Sequence, residues 1–476
     1  MTECTPNLFG FQDVGPRAVE AAFDGGRVTG DAGGLLLREI DARFGFVERF
    51  AQCFTDHRDA DRTEHSLVDL LRQRLFGLCL GYEDLIDHDQ LRHDPMWSVL
   101  VGKSDPLGEG RMRKADRGKA LAGKSTLNRL ALTAVGADAN TRYKKIVAHM
   151  SRIEDYLVAM YQQQQTTPPE RVVLDLDATD DPLHGDQLGG FFDGYYGHYC
   201  YLPLYIFAGD HPLCARLRPS DMDASCGALK QVQRIVAQLR QTWPNVPVLL
   251  RADGGFCREH LRRWCEANGV DYLFGLAKNS RLVRALGAEL HQAKCEHQQT
   301  GQAARVFKDF TYRTHNSWSR ARRVVGKAEH LAKGANPRFV VTSLTPVPFD
   351  AKALYEQEYC GRGDMENRIK EQQLCLFADR TSCATMRANQ LRLYLSTVGY
   401  VMMRAMREHG LVNTEMAQAR CDTIRLKLFK IGALVRVTVR RVKVSMSEGY
   451  PFRALFALVF ANLKRLFAPP AQPAPV

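Results

Sequence analysis

No stretch of this sequence approaches the ~20 continuous apolar residues of a membrane-spanning helix, so no membrane partner is expected. The 13 cysteines are odd in number and scattered, and no two have the CxxC spacing. That pattern excludes a disulfide framework and a zinc ribbon, and it reads as reduced intracellular thiols. The opening MTECTPNLFGFQD lacks the charged start and apolar run of a signal peptide. The expected location is therefore the cytoplasm. No internal repeat divides the chain.

What remains is the profile of a folded protein with a basic surplus. The chain has 476 residues, 45% apolar and 25% charged, enough for two or three domains with a sizeable core. Its formal charge is +12 and its pI about 9.1, which makes nucleic acid the first candidate partner. The surplus is uneven. Residues 411–476 hold eleven Lys and Arg against three Asp and Glu, a net eight of the twelve. There the run LVRVTVRRVKVSM, Leu434 to Met446, alternates valine with Arg436 and then adjoins Arg440 and Arg441. Read as one strand, it would turn one face to the core and a basic face outward, either for DNA or as a charge-protected edge.

The pattern changes along the chain. Residues 1–30 read as irregular. From Ala32 to about Asp94 it is helical, with Leu67, Leu70, Leu71, Leu75 and Leu78 at helical spacing. A polar loop over 108–125 and a further helical stretch end in the linker-like QQQQTTPPE. At Arg171 the period becomes that of strands: RVVLDLDAT, then YCYLPLYIFAG and LCARLRP. A helix over about 226–242, the strand VPVLLRAD, a helix ending at Gly269 and the strand VDYLFGLAK complete a mixed α/β unit. Three strand-like segments over 300–345 read as a small β insertion. Residues 353–406 are helical again. The tail ends in a strand, a helix and a disordered APPAQPAPV. The domain reading is a helical DNA-end-binding region at 1–165, a catalytic core at 166–299 and 351–410, the β insertion at 300–350, and a basic region at 411–476.

Three acidic positions carry chemistry. Asp175 or Asp177 lies inside an apolar strand, where a carboxylate is costly unless paired or bound to metal. Asp253 ends an apolar strand before Gly254 and Gly255, the place where α/β sites open. Glu366 lies in the helical segment YEQEYCGRGDMENRIKEQQ. Each alone has a plain structural explanation: a turn, a helix cap, a solvated face. Together they form the set that two-metal phosphoryl transfer needs, with oxygen donors converging on two hard cations.

These residues carry a family resemblance. Tyr359, Arg362 and Glu366 match the Y-(2)-R-(3)-E signature of bacterial insertion-sequence DDE transposases. With VVLDLDATDDPLHG and LRADGGF, in that order, the chain resembles insertion-sequence family thirteen-eighty, a relative of the Y-R-E-K transposases. The resemblance covers roughly residues 165–445. It implies an α/β, RNase H-like mixed sheet. It also implies Asp177, Asp253 and Glu366 as catalytic carboxylates holding two Mg²⁺ or Mn²⁺ ions. Asp177 is preferred over Asp175 because Thr179 fits the family's Asp-x-Thr pattern. Tyr359 and Arg362 resemble its phosphate- and DNA-end-contacting residues. The implied partners are the terminal inverted repeats and target DNA, met by a homodimer on two ends, and the implied location is cytoplasmic, associated with the nucleoid. The signature lysine is Gln373 here, and Lys370, one turn from Glu366, is the candidate to supply the charge. Two alternatives stay open: a nuclease on the same fold without strand transfer, and an inactive DNA-binding descendant.

One motif points elsewhere. GKALAGKS, Gly118 to Ser125, satisfies the phosphate-loop pattern G-x-x-x-x-G-K-[ST]. That motif needs an apolar strand before it, and EGRMRKADR is not one. Lys119 and Lys124 are read as solvent-exposed or DNA-backbone contacts. His184 and His198 flank GFFDGYYG with no further ligand at metal spacing.

Overall fold

The computed structural model describes residues 8–183, 185 and 187–466; His184 and the APPAQPAPV tail lie outside the described residues. The chain divides into two units, Met150–Thr397 and a second made of Met1–His149 with Val398–Val476.

The first unit is built on a nine-stranded mixed sheet. Its strands are β1 (Val172–Ala178), β2 (Leu204–Ala208), β3 (His211–Arg216), β4 (Val248–Ala252), β5 (Asp271–Leu276), β6 (Ala304–Tyr312), β7 (Arg322–Leu331) and β8 (Arg338–Thr342). The ninth is the two-residue piece Gly334–Ala335, paired with β7. The spatial order is β3-β2-β1-β4-β5-β8-β7-β6. β4 runs parallel to both β1 and β5, and the remaining pairs are antiparallel. The segments read as a small β insertion pair into the central sheet. β8 pairs with β5 through Phe274↔Val341, and these two side chains join the main core, whereas Val340 and Leu273 lie in a smaller core.

Strand periodicity sorts the side chains of β1. Val172, Leu174 and Leu176 join the core formed with Val232, Ile235, Val236 and Leu239 of helix α1 (Ala228–Thr242). Val173, Asp175 and Asp177 therefore face the opposite side. There a smaller core gathers Leu249, Leu273 and Val340 under Leu354 and Tyr355. The expected strand Tyr199–Gly209 is two strands, because Leu202 and Pro203 interrupt it and proline has no N–H for a ladder. Its first part, His198–Tyr201, belongs to a small three-stranded sheet with Asp181–Pro182 and Phe191–Asp193.

The expected helix over 353–406 is several pieces. Ala351–Ala353, a wide π turn at Leu354–Tyr359 and a 3-10 turn at Cys360–Arg362 lead into helix α3. We number α2 as Glu259–Ala267, α3 as Gly363–Leu376 and α4 as Met386–Ala405. The regular α-helix begins only at Gly363, after the 3-10 turn that holds Gly361. At Gly361 a Cβ would come 2.9 Å from Arg251 Nη1, so the space it leaves is filled by a guanidinium.

The second unit is mostly helical. Leu67–Leu80 opens with a reciprocal capping box between Ser66 and Asp69 and buries Leu70, Leu71, Leu75 and Leu78. Phe9–Val14 and Arg17–Ala21, read as irregular, form a hairpin that turns at Gly15 (φ 62°). The C-terminal segment from Val398 groups with this unit. Its expected single strand is a hairpin, Ala433–Val437 with Val442–Met446. Thr438 turns the chain, donating through its Oγ1 to Arg441 O at 3.0 Å. Helix Arg453–Arg465 follows.

Candidate active site

β1 and β4 are neighbouring parallel strands with Leu176 opposite Ala252. Asp177 and Asp253 each come one residue later, so the ladder sets them side by side. Asp253 caps a 3-10 turn, its Oδ1 accepting from Gly255 N at 2.8 Å, while Asp177 Oδ1 accepts from Ala178 N at 3.0 Å. Glu366 lies in the first turn of α3. Arg362, one helical turn earlier, joins the three. Its Nη2 donates to Glu366 Oε1 at 3.1 Å and its Nη1 lies 3.8 Å from Asp177 Oδ2. Burial pushes the Asp177 carboxyl up to about 6. The charge of Arg362 opposes that rise, and the nearby Asp253 and Glu366 carboxylates add to it. The same groups hold the Arg362 guanidinium above its usual range, against the effect of its burial.

Tyr359 closes the other side. Its hydroxyl oxygen would lie 2.6 Å from a Cβ at Gly275, so glycine on β5 is what admits the ring. Burial raises its pKa, Arg362 opposes the rise and Asp253 adds to it. Lys370 is exposed, with no ion pair found among the described residues. Gln373, at the signature lysine position, donates to Asp180 O at 3.2 Å.

Asp175 is engaged elsewhere. Arg251 on β4 grips it with two hydrogen bonds, Nε to Oδ1 at 2.7 Å and Nη2 to Oδ2 at 2.8 Å, and also donates to Glu358 O. Burial raises the Asp175 pKa, and the Arg251 contacts oppose that rise. Arg251 was not expected from the sequence. The signal was there: an arginine in an apolar strand needs a buried counter-charge as much as an aspartate does. Asp181 was not expected either; it is 1% exposed, and neither carboxyl oxygen is hydrogen-bonded among the described residues.

Arg436, Arg440 and Arg441 belong to the other unit, later in the sequence than the carboxylates. All three are exposed, Arg436 on a strand and the other two at the hairpin turn.

No three His, Cys, Asp or Glu side chains among the described residues are gathered closely enough to hold a metal ion as they stand. Asp177, Asp253 and Glu366 surround a guanidinium instead. As a donor set they still suit a divalent ion of the magnesium kind: all oxygen, anionic, and with one member, Asp177, short of compensating charge. Among the described residues no helix is long and apolar enough to cross a membrane. The family described as transposase DDE domain group 1 matches residues 11–468. No curated protein matches the chain.

Proposed function

The chain belongs to the transposase DDE domain group 1 family, and from that premise we propose that it cuts DNA at the ends of its own mobile element and joins the freed 3′-OH to target DNA. The observation that carries the reading is the convergence of Asp177, Asp253 and Glu366 on Arg362, from a first strand, the end of a fourth strand and a later helix. This is the placement that the RNase H-like resemblance implies. The finer kinship, to insertion-sequence family thirteen-eighty and the Y-R-E-K transposases, is supported by Tyr359, Arg362 and Glu366.

Asp177, Asp253 and Glu366 would hold two Mg²⁺ or Mn²⁺ ions. When bound, such ions activate the attacking oxygen and stabilise the leaving one. The protein's own groups position the DNA. Arg362 presents a planar fork that can grip a phosphate oxygen pair. Tyr359, wedged against Gly275, offers a hydroxyl on the same side. Asp175 and Arg251 brace β1 against β4. Lys370, Arg436, Arg440 and Arg441 are proposed as backbone contacts, and two chains on two element ends as the working assembly.

The test is substitution with binding measured alongside. Asp177→Asn, Asp253→Asn and Glu366→Gln should each abolish Mg²⁺-dependent cleavage while DNA binding stays near wild type, because phosphate contacts by basic groups supply most of the affinity. If Asp175→Asn loses cleavage at unchanged thermal stability while Asp177→Asn keeps it, the first ligand is wrongly assigned. Cleavage without joining of 3′ ends would leave a nuclease.

A further inference from the structure

The unit made of Met1–His149 and Val398–Val476 contains a cleft of about 640 Å³. It lies far along the chain from the carboxylates, walled by residues 58–65, 89–92, 111–116 and 121–129. Six arginines line it, against Glu64, Asp89 and Asp116. Half of the arginines already have carboxylates: Arg58 pairs with Asp56 at 2.7 Å, Arg62 with Asp59 at 3.5 Å and Arg111 with Glu64 at 2.9 Å. Arg92, Arg113 and Arg129 have no ion pair among the described residues, although all three border the same space.

The floor is the start of helix Lys124–Leu132, the end of the GKALAGKS motif. Only a 3-10 turn, Lys114–Asp116, precedes that motif, so the strand of a nucleotide-binding phosphate loop is missing. Its glycine nevertheless has a use. A Cβ at Gly123 would lie 2.8 Å from Arg92 Nη1 and 2.7 Å from Asp89 Oδ1, so glycine lets both groups close over the helix start. Asp89 takes the Lys124 N–H at 3.0 Å. A second feature points to a ligand. His65 lines the cleft, is 7% exposed, and its Nδ1 has no hydrogen-bond partner among the described residues. A buried polar atom left without a partner is costly unless something supplies one. Burial, with Lys103 and Arg111 nearby, holds its pKa down at about 4, so the ring is neutral at pH 7 and can accept or donate one hydrogen bond.

We propose that this cleft holds a backbone phosphate of an unpaired nucleic-acid strand, gripped by Arg92, Arg113 and Arg129. The charge calls for a phosphate, and guanidinium forks match its oxygens. The shape calls for an unpaired strand: the volume is that of a small-ligand pocket, whereas a duplex carries its phosphates on a convex surface that does not enter one. The inference rests on the reading that this chain handles DNA, and is independent of which carboxylates do the chemistry.

The test uses the full chain and a short 5′-labelled single strand of random sequence, followed by fluorescence anisotropy across a salt series without divalent metal. Arg92→Gln, Arg113→Gln and Arg129→Gln combined should weaken binding by at least about tenfold, as removal of charge-assisted hydrogen bonds implies. The slope of log affinity against log salt should flatten by about 0.7 for each phosphate no longer neutralised. Binding to a duplex of the same sequence should change less. Equal affinity and slope in a folded triple variant overturn the proposal. So does an equal loss on duplex and single strand, which would make these arginines an ordinary backbone patch. If the triple variant does not fold, phenylglyoxal modification of the wild-type chain decides the matter. The single strand should protect Arg92, Arg113 and Arg129. No protection, or protection by inorganic pyrophosphate but not by the strand, overturns the proposal, the latter marking a small-anion site. Arginine-dependent binding without any Mg²⁺-dependent cleavage would sink the carboxylate reading and leave this one standing. Normal cleavage with arginine-independent binding would do the reverse.

Discussion

Two carboxylates two residues apart on β1 have opposite circumstances. Asp175 is matched by a bidentate arginine; Asp177 is crowded by two other carboxylates and shares one arginine with them. A buried charge with its own counter-ion is a structural device, whereas one left partly uncompensated is where a cation or a phosphate-bound ion is wanted. Arg362 is the hinge of that difference. Arg362→Lys keeps the charge but loses the fork, so it should retain DNA binding while slowing cleavage by about an order of magnitude or more, with Arg362→Ala slower still. If single-turnover cleavage of pre-bound DNA by Arg362→Ala stays near wild type while its melting temperature falls, the residue only steadies the start of α3. Asp181 supplies a pH prediction. Burial, reinforced by Asp379 and Asp180, raises its carboxyl from 3.8 to about 8. The folded state thus holds a proton that the unfolded chain releases above about pH 4. Stability therefore falls as pH rises between those values, by roughly 1.4 kcal/mol per pH unit where the two states differ by a full proton. Urea unfolding of Asp181→Asn should show that slope flattened between about pH 5 and 7. An unchanged slope would mean that Asp181 is not the proton carrier.

At the scale of elements, the hairpin Ala433–Val437 and Val442–Met446 shows how a turn reassigns side chains. As one long strand, the segment would have put Arg436 and Arg440 on one face and Arg441 and Lys443 on the other. Reversal at residues 438–441 puts Arg440 and Arg441 at a tip and leaves Arg436 across from Lys443. All three arginines are exposed, so replacing them together by Ala should leave the melting temperature nearly unchanged. The salt dependence of duplex binding should meanwhile flatten by about 0.9 for each phosphate no longer neutralised. A constant slope would assign them to solvation of an edge. The β5 strand shows the converse, a backbone position set by a neighbour: Gly275 is small because Tyr359 and the Gly254 backbone occupy the space a side chain would need.

For the whole molecule, the basic surplus and the acidic site are separated along the chain. The carboxylates lie within Met150–Thr397, while the strongly basic residues 411–476 and the arginine cleft belong to the other unit. This division suits a protein that grips DNA with one set of groups and reacts on it with another. The proposed two-chain assembly predicts that mass photometry on DNA carrying both element ends finds two chains per cleaving complex. Cleavage by complexes holding a single chain would overturn it.

What the sequence by itself determined is local. The strand period over 171–178, the apolar run ending at Asp253 and the order of the motifs around Asp177, Asp253 and Glu366 were legible because periodicity and turn chemistry are short-range. The family match over residues 11–468 bears out the DDE transposase reading in general. What only the tertiary structure decided is pairing between distant segments. Arg251 meets Asp175 because parallel strands in one register place them opposite each other. The segments at 304–342 join the central sheet because β8 aligns with β5. Residues 398–476 fall in with the N-terminal unit. Each of these depends on which surfaces bury one another, a choice made between residues tens to hundreds of positions apart, on which local pattern is silent.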